Sequence, residues 1–258
     1  MTQGQSVPAL RLRALSKRFG DTVAVRGIDL DVPRGSFYGL VGPNGAGKTT
    51  TLSMATGLLR PDSGTSHVLG VDVWAEPLRA KTLTGILPDG LRVFDRLTGL
   101  QLITYAGLLR GLERREVVSR AHELLVALAL ADAADQLVID YSAGMAKKIA
   151  LACALVHAPR VLVLDEPFEA VDPVSARTIR GILDGFVESG GTVILSSHVM
   201  DLVERICTDV AILALGEVRA SGPIDHVRDG MPLEDRFLHL VGGHTEVEGL
   251  AWLRTSSD

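Results

Sequence analysis

The sequence predicts an α/β chain: a mainly parallel sheet covered by helices, an N-terminal antiparallel β region and a helical insert. Three observations carry this. From about residue 146 onward, short apolar runs alternate with amphipathic segments, the pattern of buried parallel strands and crossover helices. Near residue 42 a glycine-rich loop joins an apolar strand directly to a helix. Between about 89 and 134 the β texture disappears and apolar residues recur every three to four positions.

Taken in order, LRLRALSKRF, VAVRGIDLDV and SFYGLVG read as three strands, separated by Gly20-Asp21 and Pro33-Arg34-Gly35 turns. The third runs into a loop and a helix ending near Gly57, and HVLGVDVW follows as a short strand pair. LTGLQLITYAGLLRGL and RREVVSRAHELLVALAL are two amphipathic helices. Then come helix KKIALACALV, strand RVLVLDEP, helix SARTIRGILDGFVESG, strand GTVILSS, helix VMDLVERIC, strand DVAILAL and a short helix, LEDRFLHLV. The expected organisation is one domain over 8–242, with its β and α/β core at 8–88 and 146–225 and a helical subdomain at 89–145. A C-terminal helix and tail occupy 226–258, with a loose end at RTSSD.

Composition narrows the partners. With 258 residues and 47% apolar content the chain can build a sizeable core. A net charge of -5 and a pI near 5.8, with no basic block, argue against nucleic acid. Cys153 and Cys207 lack metal or redox spacing and read as reduced, buried thiols. The N-terminus has no apolar signal segment. The longest apolar run, Ile149 to Val156, falls far short of the ~20 residues that span a bilayer. Any membrane role is expected to run through a partner.

The loop Gly42-Pro43-Asn44-Gly45-Ala46-Gly47-Lys48-Thr49 matches G-x-x-x-x-G-K-[ST]. Its glycines let the backbone curl around phosphate oxygens, and the helix N-terminus adds positive dipole. Lys48 is expected on the β- and γ-phosphates, the Thr49 hydroxyl on Mg²⁺ and Thr50 near the α-phosphate. Together with the predicted sheet, this makes the core that of a P-loop NTPase. VLVLDEP supplies the rest of the chemistry. Asp165, at the carboxyl end of a buried strand, suits Mg²⁺. Glu166, next in the chain, is the candidate general base. A solvated strand end is the plainer reading of such a pair when it stands alone.

In this order, the motifs resemble the ATP-binding-cassette (ABC) ATPases over about residues 8 to 242. The resemblance places Phe19 where the family stacks an aromatic on adenine; a core phenylalanine is the alternative. YSAGMAKKIALACALVHAPRVLVLDEP is similar to the family signature leading into the metal-binding strand. Ser142 and Gly144 take the positions that bind the γ-phosphate held by the opposite subunit, with Ala143 in place of a glycine. Ser142 also suits a helix N-cap. Glu169-Ala170-Val171-Asp172 occupies the D-loop, whose Asp172 communicates across the dimer; Glu169 and Ala170 replace a serine and a glycine. His198 matches the switch histidine at the γ-phosphate. Asp89 stands where the family commonly has glutamine, as metal ligand and link to the membrane partner. MPLEDRFLHLVGG is similar to the ending of ATPase subunits from two-component exporters; an amphipathic capping helix is the alternative.

The resemblance implies ATP and Mg²⁺, a head-to-tail homodimer or pair of ATPase subunits, and a separate permease chain. It implies a cytoplasmic position, peripheral on the inner face of the cell membrane. The expected function is ATP binding and hydrolysis that drives export through dimer closure and opening. Two other readings stay open: an ATPase of the same family without a transport role, and a regulatory ATP-binding protein with weakened catalysis.

Overall fold

The computed structural model describes residues 7–90 and 94–242, so the expected loose end at RTSSD lies outside the described residues. Strands β1 (Leu10–Phe19) and β2 (Thr22–Val32) form a hairpin. Strand β3 (Phe37–Val41) leads through the glycine loop into helix α1 (Lys48–Ala55). A second hairpin, β4 (Ser63–Val68) and β5 (Val71–Asp72), precedes α2 (Pro77–Leu83) and β6 (Thr84–Leu87). Helices α3 (Gly99–Leu109) and α4 (Arg114–Ala127) make the insert, and α5 (Ala143–Leu155) returns to the core. Then β7 (Val161–Leu164), α6 (Pro173–Glu188), β8 (Thr192–Ser197), α7 (Met200–Ile206) and β9 (Asp209–Ala214) alternate. The described chain closes with β10 (Glu217–Pro223), α8 (Ile224–Arg228) and α9 (Leu233–Val241).

Two sheets result. The larger has the order β10-β9-β3-β8-β7-β6, parallel throughout except for β10, which pairs antiparallel with β9. Its central strands β3, β7 and β8 are buried at every position, as a sheet covered on both faces requires. The smaller sheet, β2-β1-β4-β5, is antiparallel. One apolar cluster joins the helices of the insert to the parallel sheet, through Ile103, Val117, Leu125, Ile149 and Leu164. The other joins the antiparallel sheet to α1 and the opposite face of the parallel strands, through Leu12, Ile28, Leu40, Leu52 and Val163.

Local signals account for the helix starts that matter. Thr98 caps α3 with a reciprocal box: its Oγ accepts from the Gln101 N–H at 3.2 Å, and Gln101 Oε1 accepts from the Thr98 N–H at 3.0 Å. Asp172 caps α6, accepting from Val174 and Ser175 N–H groups at 3.0 and 2.9 Å, and Pro173 fits the first helical position. Ser142 caps α5 by accepting from the Met145 N–H.

The fold differs from expectation in its edges. Neither α2 nor α8 shows in the apolar pattern: α2 is short and mostly exposed, and α8 spans only five residues. Strand β10 is also unread by sequence: EVRASGP lacks an apolar run and sits at the sheet edge, held by its ladder with β9. Strand β4 begins at Ser63, before any β-forming residue, because Gly64 lets the chain pass close to β1; a Cβ there would lie 2.4 Å from the Ala14 carbonyl. Both cysteines are free thiols, and burial pushes the Cys153 thiol up to about 12.

Candidate functional site

The glycine loop folds as a cradle because two of its glycines admit no side chain. A Cβ on Gly42 would lie 2.2 Å from the Leu213 carbonyl, and one on Gly47 would lie 2.5 Å from that of Ala24. Gly47 is also left-handed, with φ 100°, and it starts α1 without any side-chain cap. The first-turn N–H groups of α1 therefore keep their capacity for an anion. Lys48 is 7% exposed, and its Nζ donates to the carbonyls of Gly42 at 2.7 Å and Pro43 at 3.3 Å. It curls over the mouth of the loop, where a phosphate would need it.

A cleft of about 460 Å³ opens above this loop. Its walls are the loop from Pro43 through Asn44, Gly45, Ala46, Gly47, Lys48 and Thr49 to Thr50, with Phe19 on one side and Asp89, Glu166, Glu169 and His198 on the other. Phe19 is 50% exposed, which excludes a core role, and Lys17 Nζ sits 5.7 Å from its ring centroid. An exposed aromatic face at a cleft rim is free to stack on a base. Asp89 is exposed, and its Oδ1 accepts from the Gly90 N–H at 2.8 Å.

Asp165 and Glu166 follow β7 at its carboxyl end. Both are buried, at 4% and 9% exposure. Glu166 adopts a left-handed backbone with φ 45°, unusual for a residue with a side chain. Its carboxylate reaches the cleft: Oε1 lies 3.6 Å from Lys48 Nζ and 3.1 Å from His198 Nδ1. Three residues from three separate motifs thus meet around one oxygen. Ser196, at the end of β8, bridges the two acids. Its Oγ accepts from the Glu166 N–H at 2.9 Å and donates to Asp165 Oδ1.

The donors suit magnesium held with a nucleotide. Among the described residues no group of three or more His, Cys, Asp or Glu side chains could enclose a metal. Magnesium is ordinarily held by one or two carboxylates or hydroxyls together with substrate phosphates, and it needs no such cage. The exposed Thr49 and the single acid Asp165, whose Oδ2 is not engaged by Ser196, fit that demand.

Ser142, Gly144 and Asp172 are not among the residues lining this cleft. They gather elsewhere. Gly144 packs so tightly that a Cβ would come within 2.8 Å of both Asp172 Oδ2 and Ser175 Oγ. Ser142 and Ala143 are exposed at the start of α5. The Ser175 N–H, followed by its hydroxyl and the Val174 N–H, holds the Asp172 carboxyl below the usual carboxylate range.

Sequence reasoning missed Ser196, Lys147 and the placement of Glu169 on the cleft wall. The only trace of Ser196 is a pair of serines closing the otherwise apolar strand TVILSS. Lys147 Nζ donates to the Glu166 carbonyl at 2.9 Å, a contact no spacing rule predicts.

Comparison with known proteins identifies the family. A family model described as ABC transporter matches residues 25–169. The daunorubicin/doxorubicin resistance ATP-binding protein DrrA of Streptomyces peucetius is 36% identical over 227 residues, covering 88% of this chain and 69% of that protein. The linearmycin resistance ATP-binding protein LnrL of Bacillus subtilis is 36% identical over 213 residues, covering 83% and 68%. A solved ATP-binding subunit of an ABC transporter superposes with a TM-score of 0.84 at 26% identity, covering 90% of this chain and 99% of that one. The phosphate cradle, the paired acids and these likenesses lead to one family: the chain belongs to the ABC transporters, among their ATP-binding subunits.

Proposed function

We propose that this chain hydrolyses ATP as one of a pair of subunits, drives a separate permease chain from the cytoplasmic face of the membrane, and works in the export direction. The observation that carries the reading is the meeting of Lys48, Glu166 and His198 over one cleft. Lys48 and the loop N–H groups would hold the phosphates, with Phe19 against the base. Glu166 would accept the proton of the attacking water, and His198, with its Nδ1 3.1 Å from Glu166 Oε1, would orient that water and the γ-phosphate. Thr49 and Asp165, with Asp89 beside them, would hold Mg²⁺, which supplies neutralisation of the phosphate charge.

Ser142, Gly144 and Asp172 do not line the chain's own cleft, which supports a second copy completing the site. ATP would then bind the closed pair better than the open one, and that difference is what does work on the permease. Among the described residues no helix is long and apolar enough to cross a membrane, so the permease supplies the path. Export is supported by the C-terminal helix LEDRFLHLV and by relatives whose names speak of drug resistance.

The test is steady-state ATPase activity against protein concentration, beside Glu166→Gln. Activity should rise more than linearly with concentration. Glu166→Gln should keep ATP binding and lose at least ~100-fold in turnover, the lower end of what a general base contributes. Normal turnover in Glu166→Gln would overturn its role. Tight binding without turnover in the wild type would favour the regulatory reading, which Ala143, Asp89 and Glu169 motivate.

A further inference from the structure

We propose that Lys147 is a positioning residue for hydrolysis: its ammonium holds the Glu166 carbonyl and so keeps the backbone that aims the Glu166 carboxylate into the cleft. The proposal rests on Glu166 being the general base.

The argument begins with strain. A glutamate at φ 45° sits in a region that is strained for a residue with a side chain, and it persists only where its surroundings over-determine it. Here both backbone groups are held. The N–H donates to Ser196 Oγ at 2.9 Å. The carbonyl accepts from Lys147 Nζ at 2.9 Å and from the Glu169 N–H at 3.3 Å. The lysine bond is charge-assisted, hence the stronger of the two. Lys147 is half-buried and forms no ion pair among the described residues, so the carbonyl is the polar partner its ammonium has there.

The origin of Lys147 gives the contact its consequence. Ser196 belongs to the carboxyl end of the interior strand β8, and Glu169 to the loop after Glu166. Lys147 comes from α5, one turn beyond Gly144, on the helix that Ser142 caps. The helix carrying the anion-binding signature is thereby hydrogen-bonded to the backbone of this chain's own base. When ATP held by a partner subunit engages Ser142 and Gly144, any shift of α5 reaches Glu166 through Lys147. Each base thus answers to the nucleotide at the other site, and hydrolysis becomes cooperative in ATP.

The experiment compares Lys147→Met, Lys147→Arg and Glu166→Gln in the full-length chain. Methionine keeps the packed stem and removes the donor; arginine keeps the donor. Lys147→Met should lower kcat by about 10- to 100-fold, the scale of a misplaced catalytic group. KM for ATP should stay within about two-fold, as expected when only the transition state loses an interaction. Its Hill coefficient should fall toward 1, and Lys147→Arg should recover most of the rate. ATP affinity measured in the Glu166→Gln background should not change when Lys147→Met is added. Should Lys147→Met fail to fold, Lys147→Gln, one bond too short to reach the carbonyl, gives the same comparison. Wild-type kcat and cooperativity in Lys147→Met or Lys147→Gln, with Glu166→Gln inactive, would overturn the positioning role alone. Turnover in Glu166→Gln would overturn the base assignment on which it stands.

Discussion

Asp165 and Glu166 stand side by side, both buried, and a single hydroxyl binds the carboxylate of the first and the backbone N–H of the second. Ser196 is fully buried; it gives Asp165 a donor and takes the Glu166 N–H. Removing it leaves a buried N–H without a partner and a carboxylate without its fixing bond. Each such loss costs roughly 1–3 kcal/mol. We expect Ser196→Ala to lower unfolding free energy by about 2–6 kcal/mol in urea titrations. It should also reduce kcat more than it raises KM, because the geometry of the acids matters most when charge develops. A variant as stable and active as wild type would mean that water replaces the hydroxyl at no cost. These acids were readable in the sequence because an apolar strand ending in Asp-Glu has few other uses beside a phosphate loop. Ser196 was not, since a serine closing a buried strand carries no spacing of its own. Lys147 was hidden in the same way: a lysine on a helix reads as a solvated face until the fold brings it against a carbonyl.

Between elements, a polar seam joins the helical insert to the edge of the parallel sheet. Arg110, following α3, donates to the carbonyl of Lys81 and, at 3.5 Å, to that of Thr84. Arg120 of α4 donates to the Val156 carbonyl at 2.9 Å. His157, just past α5, meets the Thr84 carbonyl through Nε2 at 3.2 Å, while its buried Nδ1 has no partner among the described residues. Burial first, then the nearby Arg110 charge, pushes the His157 imidazole down to about 4. The unfolded chain titrates its histidines near 6.5. Between those values the unfolded state binds a proton that the folded state refuses, so stability is full above about pH 6.5 and drains as pH falls toward 4. Thermal unfolding followed across pH 7 to 4 should show this slope, and His157→Leu should flatten it. An unchanged slope in the variant would assign the loss to carboxylates instead. Hydrophobic periodicity revealed that α3, α4 and α5 exist, because amphipathic helices declare their buried face. It could not reveal this seam, which depends on where the helices land, nor the edge strand β10, whose order comes from pairing with β9.

At the scale of the whole molecule, the sequence motifs divide into two groups that one chain does not bring together. The cleft holds Lys48, Thr49, Glu166 and His198. Ser142, Gly144 and Asp172 lie apart from it, with Gly144 and Asp172 in close contact. A site split in this way is either incomplete or completed by another copy, and a mixing experiment separates the two. Lys48→Ala should disable the cleft of its own chain, and Ser142→Arg should obstruct only the signature it offers to a partner. Each variant alone should be inactive. In a mixed dimer, the chain with the intact cleft faces the chain with the intact signature, so one of the two sites is whole. Random pairing of two chains makes about half of the dimers mixed, so an equal mixture should recover up to about a quarter of the wild-type rate. Recovery of that size, rising with protein concentration, requires that the signature act across the interface. If the mixture stays inactive while each chain still binds its partner, either the two sites must fire together or the signature serves its own chain. Adding excess Ser142→Arg chain to wild type decides between these: a depressed rate shows that both sites must fire together, and a rate equal to that of the wild type alone shows that the signature serves its own chain.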